Sequence, residues 1–136
     1  MSFLLDTNAW VDFLRRPTES PIAQQLAQLS PQDVFTCSVV RAELVYGAFR
    51  SQHSARNLSQ VTRLLSGFQS LPFDDAAADT CARVRIDLEA AGAQIGPFDL
   101  MIASIAVVNK LVLVTHNIDE FVRLPNLQVL DWQPDS

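Results

Sequence analysis

Acidic side chains recur where predicted strands end or predicted helices begin. Asp6 directly follows the apolar segment 3–5, Glu43 lies one turn into the helix after the next predicted strand, and Asp99 opens an apolar helix. A further polar group follows the branched segment 111–114 and consists of Thr115, His116, Asn117, Asp119 and Glu120. Because functional sites in open parallel sheets form at the carboxyl ends of the strands, we expect these side chains to meet at one edge.

Carboxylates gathered at one edge repel each other unless a cation lies between them. Ligands that offer only oxygen select hard ions such as Mg²⁺ or Mn²⁺. Such a site activates water and stabilises the charge that develops on a phosphodiester. The pattern therefore predicts metal-dependent phosphodiester hydrolysis.

Most of these acids also have a purely structural interpretation. Asp6 and Asp99 each stand where an N-cap residue is expected, and aspartate is a favoured cap. Asp119 and Glu120 open a short helix, where the helix dipole favours acids that are merely solvated.

Glu43 is harder to explain in this way. Its helix carries Val39 and Val40 one turn before it, with Leu44 as its neighbour, so the carboxylate projects from a partly apolar face. A buried unpaired carboxylate is costly, so Glu43 should bind a metal or pair with a distant arginine. Gly47, one turn later, leaves room for a ligand to approach the backbone.

Other catalytic chemistries have little support. No serine, cysteine or histidine constellation offers a covalent mechanism, and no glycine-rich phosphate loop is present. Cys37 and Cys81 are expected to be buried thiols in a reducing compartment. His53 and His116 are too far apart in sequence to form a local metal motif.

Short apolar segments alternate with helical segments along the chain. Strands are predicted near residues 3–5, 34–37, 71–73, 111–114 and 127–130. Helices are predicted near residues 9–14, 21–29, 39–50, 55–67, 75–91, 100–109 and 118–122, with Ser38 and Asp74 or Asp75 as caps and Gly92 as a terminator. This alternation predicts an α/β fold with helices on both faces of a parallel sheet.

The composition indicates one globular domain over residues 1–136, with 49% hydrophobic residues. We expect a cytoplasmic protein, because no secretory signal or membrane-length apolar segment is present. The net charge of −5 is unusual for a protein that binds nucleic acid. Either the chain does not bind nucleic acid, or some carboxylates bind cations and the arginines gather on one face.

Five sequence segments, in this order, resemble those of PIN-domain ribonucleases and, among them, the VapC-type toxins of toxin–antitoxin pairs. The segments are Leu5-Asp6-Thr7-Asn8, Glu43-Leu44 with Tyr46-Gly47, Ile95 to Ala103, Val114 to Asn117 with Glu120-Phe121, and Leu127 to Trp132. Each motif alone is weak, but together they span almost the whole chain.

The resemblance implies a PIN-like α/β/α sandwich with a mostly parallel central sheet, and Mg²⁺- or Mn²⁺-dependent cleavage of RNA. Asp6, Glu43 and Asp99 match the family's core acids and would bind the metal, and Glu120 matches the fourth acid of this branch. Many PIN domains have an aspartate where Asn117 stands, a position for which Asp119 could compensate. Thr7, Asn8 and Thr115 match polar residues that orient the acids or water.

The resemblance also implies partners: a VapB-type antitoxin, a second copy of the chain in a homodimer, and tRNA, with the anticodon loop of initiator tRNA as the substrate of the most similar branch. The arginines that could contact RNA are Arg15, Arg16, Arg41, Arg50 and Arg85. The alternative is a binding module, either a catalytically silent PIN-like domain or a receiver-like domain. A receiver-like domain needs paired acids after the first strand and a lysine late in the chain, whereas here Asp6 stands alone and the late strand ends in Thr115-His116.

Overall fold

The computed structural model of the chain describes residues 1–133 and places five short strands in one sheet. The strands are β1 (Phe3–Leu5), β2 (Val34–Cys37), β3 (Gln69–Leu71), β4 (Val112–Val114) and β5 (Val129–Leu130). All four pairings are parallel, and the strand order is β3-β2-β1-β4-β5. The last three residues of the predicted domain 1–136 lie outside the described residues.

This strand order puts a topological switch point at β1. The chain proceeds from β1 outward to β2 and β3, then crosses back to add β4 and β5 on the other side of β1. Connections leave β1 in opposite directions at such a point, which opens a crevice at the carboxyl ends of the strands. Asp6 and Thr115 directly follow the two strands beside this crevice.

Helices connect the strands and lie on both sides of the sheet. In the described part of the chain they are α1 (Thr7–Arg15), α2 (Pro21–Leu26), α3 (Ser38–Phe49), α4 (Ser54–Leu65), α5 (Asp75–Ala90), α6 (Pro97–Val108) and α7 (Ile118–Phe121). The helix α3 packs on α1 and α4, and α5 packs on α6. None of these helices has the length and apolar character that crossing a membrane requires.

The core holds the site-bearing elements in place. The residues of β1 and β4 are buried throughout, as expected for strands covered by helices on both faces. Trp10 of α1 is fully buried and its ring packs 5.0 Å from that of Phe68. In α6, six residues between Leu100 and Ala106 are buried, and this packing fixes the position of the helix's N-terminal turn.

Several predicted boundaries were wrong. The helix predicted over 21–29 ends at Leu26, and the third strand is Gln69–Leu71 rather than 71–73. Ser38 does not cap α3, because Cys37 occupies the cap position and the Ser38 hydroxyl accepts a hydrogen bond from the Phe73 N–H. Asp74, one of the two predicted caps of α5, accepts from the Ala77 N–H at 3.0 Å.

Candidate active site

Asp6 occupies the centre of the crevice and is 4% exposed. It is both a helix cap and a pocket acid, because its Oδ1 accepts a hydrogen bond from the Ala9 N–H at 2.9 Å. Burial raises the pKa of the Asp6 carboxyl and outweighs the hydrogen bonds from Thr115 and Ala9, which lower it. The negative charge of Glu43 raises this pKa further.

Glu43 reaches the same crevice from α3, whose apolar face is buried and fixes the helix against the sheet. The Thr7 hydroxyl donates a hydrogen bond of 2.6 Å to Glu43 Oε1. The predicted alternative, an ion pair with a distant arginine, does not occur: none of the three ion pairs among residues 1–133 includes Glu43. Glu43 is therefore a half-buried carboxylate held by a neutral donor.

Asp99 lies in the first turn of α6 but does not cap it, since Gly96 is the N-cap residue. Burial raises the pKa of the Asp99 carboxyl to about 7, together with the negative charges of Glu120, Asp6 and Glu43 and a hydrogen bond with Glu120. The charges of the other three carboxylates therefore all act on Asp99. The structure thus brings together the acids that the sequence singled out.

Glu120, rather than Asp119, faces this pocket. Glu120 is half-buried, shares a hydrogen bond with Asp99 and accepts another from the Asn117 amide, whereas Asp119 is exposed. The N–H of Asn117 donates in turn to the Thr115 hydroxyl at 3.0 Å. Asn117 therefore links the end of β4 to Glu120 and orients that carboxylate.

The chemistry of these groups fits a hard divalent cation. Asp6, Glu43, Asp99 and Glu120 offer only oxygen atoms, and no lysine or arginine within residues 1–133 forms an ion pair with any of them. A cation would offset the burial and the mutual repulsion that raise the pKa values of Asp6 and Asp99. Among the described residues, no group of three or more acids, histidines or cysteines is already arranged to hold an ion. The pocket therefore offers negative charge and oxygen ligands, but these are not arranged as a complete coordination shell.

One acid beside this pocket was missed by the sequence analysis. Asp131 follows β5, and its charge raises the pKa of Asp6. Its carboxylate lies 3.0 Å from the Nδ1 of His116 and accepts a hydrogen bond from the Gln133 N–H. The rule that sites follow strand ends would have found Asp131, had it been applied to the last strand as well.

Two clefts flank α1 next to the acids. The first has a volume of about 450 Å³ and is lined by Asp6, Asn8, Arg15, His116 and Asn117, among others. The second, of about 420 Å³, lies between α1, α3 and α4 and includes Thr7, Arg15 and Glu43. Both adjoin the acidic pocket, so a long substrate has room on either side of it.

The five candidate arginines lie in different places. Arg15 lines both clefts, and Arg16 pairs with Asp12 at 2.6 Å. Arg41 is exposed on α3, and Arg50 follows the end of that helix and stacks 5.6 Å above the Tyr46 ring. Arg85 pairs with Glu89 on α5 and lines a separate cleft between α5 and α6.

Comparisons with known proteins agree with this geometry. The PIN domain family matches residues 3–127. The tRNA(fMet)-specific endonuclease VapC of Salmonella typhimurium is 33% identical over 132 residues, covering 97% of this chain and 98% of that protein. The protein of the same description from Shigella flexneri is 35% identical over the same shares. The crystal structure of DNA-bound VapBC from Salmonella typhimurium superimposes with a TM-score of 0.91 at 33% identity, covering 97% of this chain and 98% of that one.

Proposed function

Because the chain belongs to the PIN-domain family, in its VapC branch, we propose that it is a divalent-metal-dependent endoribonuclease that acts as the toxin of a toxin–antitoxin pair. The observation that carries the proposal is the convergence of four carboxylates at the switch point of the sheet, where Asp99 has a pKa of about 7. Relatives described as tRNA(fMet)-specific endonucleases favour tRNA as the substrate. The likeness to a VapBC complex favours a VapB-type antitoxin as the partner.

The roles follow from the surroundings of each acid. Asp6, Glu43 and Asp99 would hold Mg²⁺ or Mn²⁺, and Glu120 would complete the pocket and position water. The bound ion would supply an activated water and would neutralise charge on the scissile phosphate. Thr7 and Thr115 hold Glu43 and Asp6 in the orientation that the pocket needs, and Asn117 does the same for Glu120.

Two exposed residues, Asn8 and Asp119, would support this pocket from beside it. Asn8 is exposed at the start of α1 and lines the cleft beside Asp6, where its amide would contact the RNA backbone. Asp119 is exposed in the first turn of α7, where it would add negative charge near the rim. Single-domain organisation, cytoplasmic location and a homodimer remain predictions.

The decisive experiment measures cleavage of a tRNA pool by the purified protein with Mg²⁺, with Mn²⁺ and with EDTA. We expect cleavage that needs the ion and that is lost in Asp6→Asn and Asp99→Asn. Asp79→Asn is the matched control, because it removes one negative charge from an exposed position on α5. Equal cleavage by every sample would refute the metal-dependent nuclease.

Expression in growing cells tests the toxin role separately. We expect wild-type protein to arrest growth, Asp99→Asn to have no effect, and co-expression of the cognate antitoxin to restore growth. Normal growth with a protein that is active on RNA in vitro would remove the toxin role and leave the ribonuclease.

A further inference from the structure

The cleft between α1, α3 and α4 continues directly from the acidic pocket. Thr7 and Glu43, joined by their hydrogen bond of 2.6 Å, lie at one end of it, and Arg15 lies on its α1 wall. Its volume of about 420 Å³ lies within the range of pockets that bind small organic groups. Any group bound there would therefore lie beside whatever occupies the acids.

Gly47 lies on the α3 wall of this cleft, in the interior of a helix. Glycine at such a position destabilises a helix relative to alanine. Nothing among residues 1–133 requires it, because a Cβ built at Gly47 would have no atom within 4 Å beyond its own helix backbone and its φ is not positive. The missing side chain instead lets a ligand approach the backbone of α3 closely.

The polar groups of the cleft suit a nucleotide. Asn57 and Gln60 of α4 present amides, which can read the edges of an unpaired base. The Asn57 amide nitrogen donates to the Ser51 hydroxyl at 2.8 Å, which fixes its orientation and directs its oxygen to act as an acceptor. The exposed guanidinium of Arg15 makes no hydrogen bond or ion pair with the residues that the structure describes, so it is available to a phosphate.

We propose that this cleft is a nucleobase subsite: it takes the unpaired base of the nucleotide next to the scissile phosphate, with Gly47 giving the base access to α3 and Arg15 binding the adjoining phosphate. The inference rests on the proposed ribonuclease function and adds where the substrate binds. It predicts that the substrate is single-stranded there, since a paired base cannot enter a cleft between helices.

The first test fills the cleft with a larger side chain at position 47. Gly47→Leu should raise the KM for a single-stranded RNA oligonucleotide roughly tenfold, the size of one lost base contact, with kcat changed less than about twofold. Ala82→Leu is the matched control, because it places the same side chain at an exposed position on α5. Gly47→Ala, which adds only a Cβ in open space, should fold at least as stably as wild type and raise KM by a smaller factor.

A change in the RNA substrate then tests which nucleotide's base binds in the cleft. Removing the base from one nucleotide beside the cut should raise KM for the wild type by the same factor, and should have no further effect on Gly47→Leu. Additive effects of the two changes, or an unchanged KM in both Gly47 variants, would overturn the subsite. Unchanged RNA kinetics with weaker binding of an antitoxin peptide would assign the cleft to the protein partner and overturn it as well. Absence of cleavage by the wild type would instead refute the ribonuclease proposal itself.

Discussion

The two halves of the acidic pocket are built differently. On one side, Asp6 and Glu43 each accept hydrogen bonds from neutral donors: the Ala9 N–H and the Thr115 hydroxyl for Asp6, and the Thr7 hydroxyl for Glu43. On the other side, Glu120 accepts one hydrogen bond from the Asn117 amide, but Asp99 and Glu120 also share a hydrogen bond with each other. Neutral donors stabilise a carboxylate's charge, whereas two adjoining carboxylates need a proton or a cation between them.

This difference follows from the elements that carry the acids. Asp6 stands at the junction of a buried strand and a helix, where free backbone N–H groups are available. Asp99 and Glu120 come from the first turns of α6 and of the four-residue helix α7, and they meet only through tertiary structure. We infer that the fold itself organises the Asp6–Glu43 side, and that a proton or a cation completes the Asp99–Glu120 side.

The largest expected effect is loss of RNA cleavage when either side loses its aspartate. A metal ion contributes several kcal/mol to transition-state stabilisation, so misplacing it in Asp6→Asn or Asp99→Asn should lower kcat/KM by roughly 10²–10³-fold. Measured at pH 8 in EDTA, both variants should melt higher than wild type, because each removes a negative charge that burial disfavours. Asp99→Asn also removes the repulsion from Glu120, and Asp6→Asn keeps a good N-cap.

If Asp6→Asn gained stability in EDTA and Asp99→Asn did not, the description of the two sides of the pocket would be wrong. Asp79→Asn, on the exposed part of α5, should match wild type in both activity and melting temperature. Thermal unfolding followed by circular dichroism, at matched ionic strength, distinguishes the two assignments without any RNA.

A smaller effect is expected from the neutral donors on the Asp6–Glu43 side. Thr7→Val and Thr115→Val each remove one hydrogen bond to a carboxylate, worth roughly 1.5 kcal/mol, so kcat should fall about tenfold. Thr115→Val should also move the acidic limb of the pH–rate profile upward, because the Thr115 hydrogen bond lowers the pKa of Asp6. Serine at either position keeps the hydroxyl and should retain activity.

If Thr115→Val and Thr115→Ser gave the same pH profile, the hydroxyl would not be the group that holds Asp6. A fall in KM with an unchanged kcat in Thr7→Val would likewise separate Glu43 from the chemical step. Steady-state kinetics from pH 5.5 to 8.5 with saturating Mg²⁺ distinguishes these outcomes.

The sequence predicted the bounds of some elements correctly and those of others wrongly. The bounds of β1 and β2 were predicted correctly, because each is a short apolar segment flanked by residues that end a strand. The strand β3 was misplaced because Gln69 and Ser70 are exposed, and pairing with β2 rather than hydrophobicity makes them a strand. The early end of α2 follows from a tighter last turn, in which the N–H groups of Gln28 and Leu29 bond three residues back.

Some features of the candidate site could likewise be predicted from the sequence, and others could not. The convergence of the pocket's acids was predictable, because each lies directly after a strand or within the first two turns of a helix. The pairing of His116 with Asp131, fifteen residues apart, depends on β4 and β5 being neighbours, and residue spacing does not encode that. Nor does spacing show that Asn117 binds Glu120 or that Arg15 alone of the candidate arginines lines both clefts.

The smallest expected effect is a dependence of stability on pH that belongs to the Asp99–Glu120 side. The pKa of Asp99 rises from 3.8 to about 7, so between these pH values the folded protein binds more protons than the unfolded chain. The free energy of unfolding in EDTA should therefore fall as pH rises from about 4 to 7. Solvent screens the half-buried group, so the fall attributable to Asp99 should be on the order of 1 kcal/mol.

Urea denaturation at several pH values measures this slope, and Asp99→Asn should reduce it while Asp79→Asn keeps it. Stabilisation by Mg²⁺ should grow over the same interval, because protons and the cation compete for the same oxygen atoms. Asp6, whose pKa is also raised by burial, should leave a residual slope in Asp99→Asn. An unaltered slope in that variant would place the pH response on the Asp6–Glu43 side and reverse the contrast between the two halves.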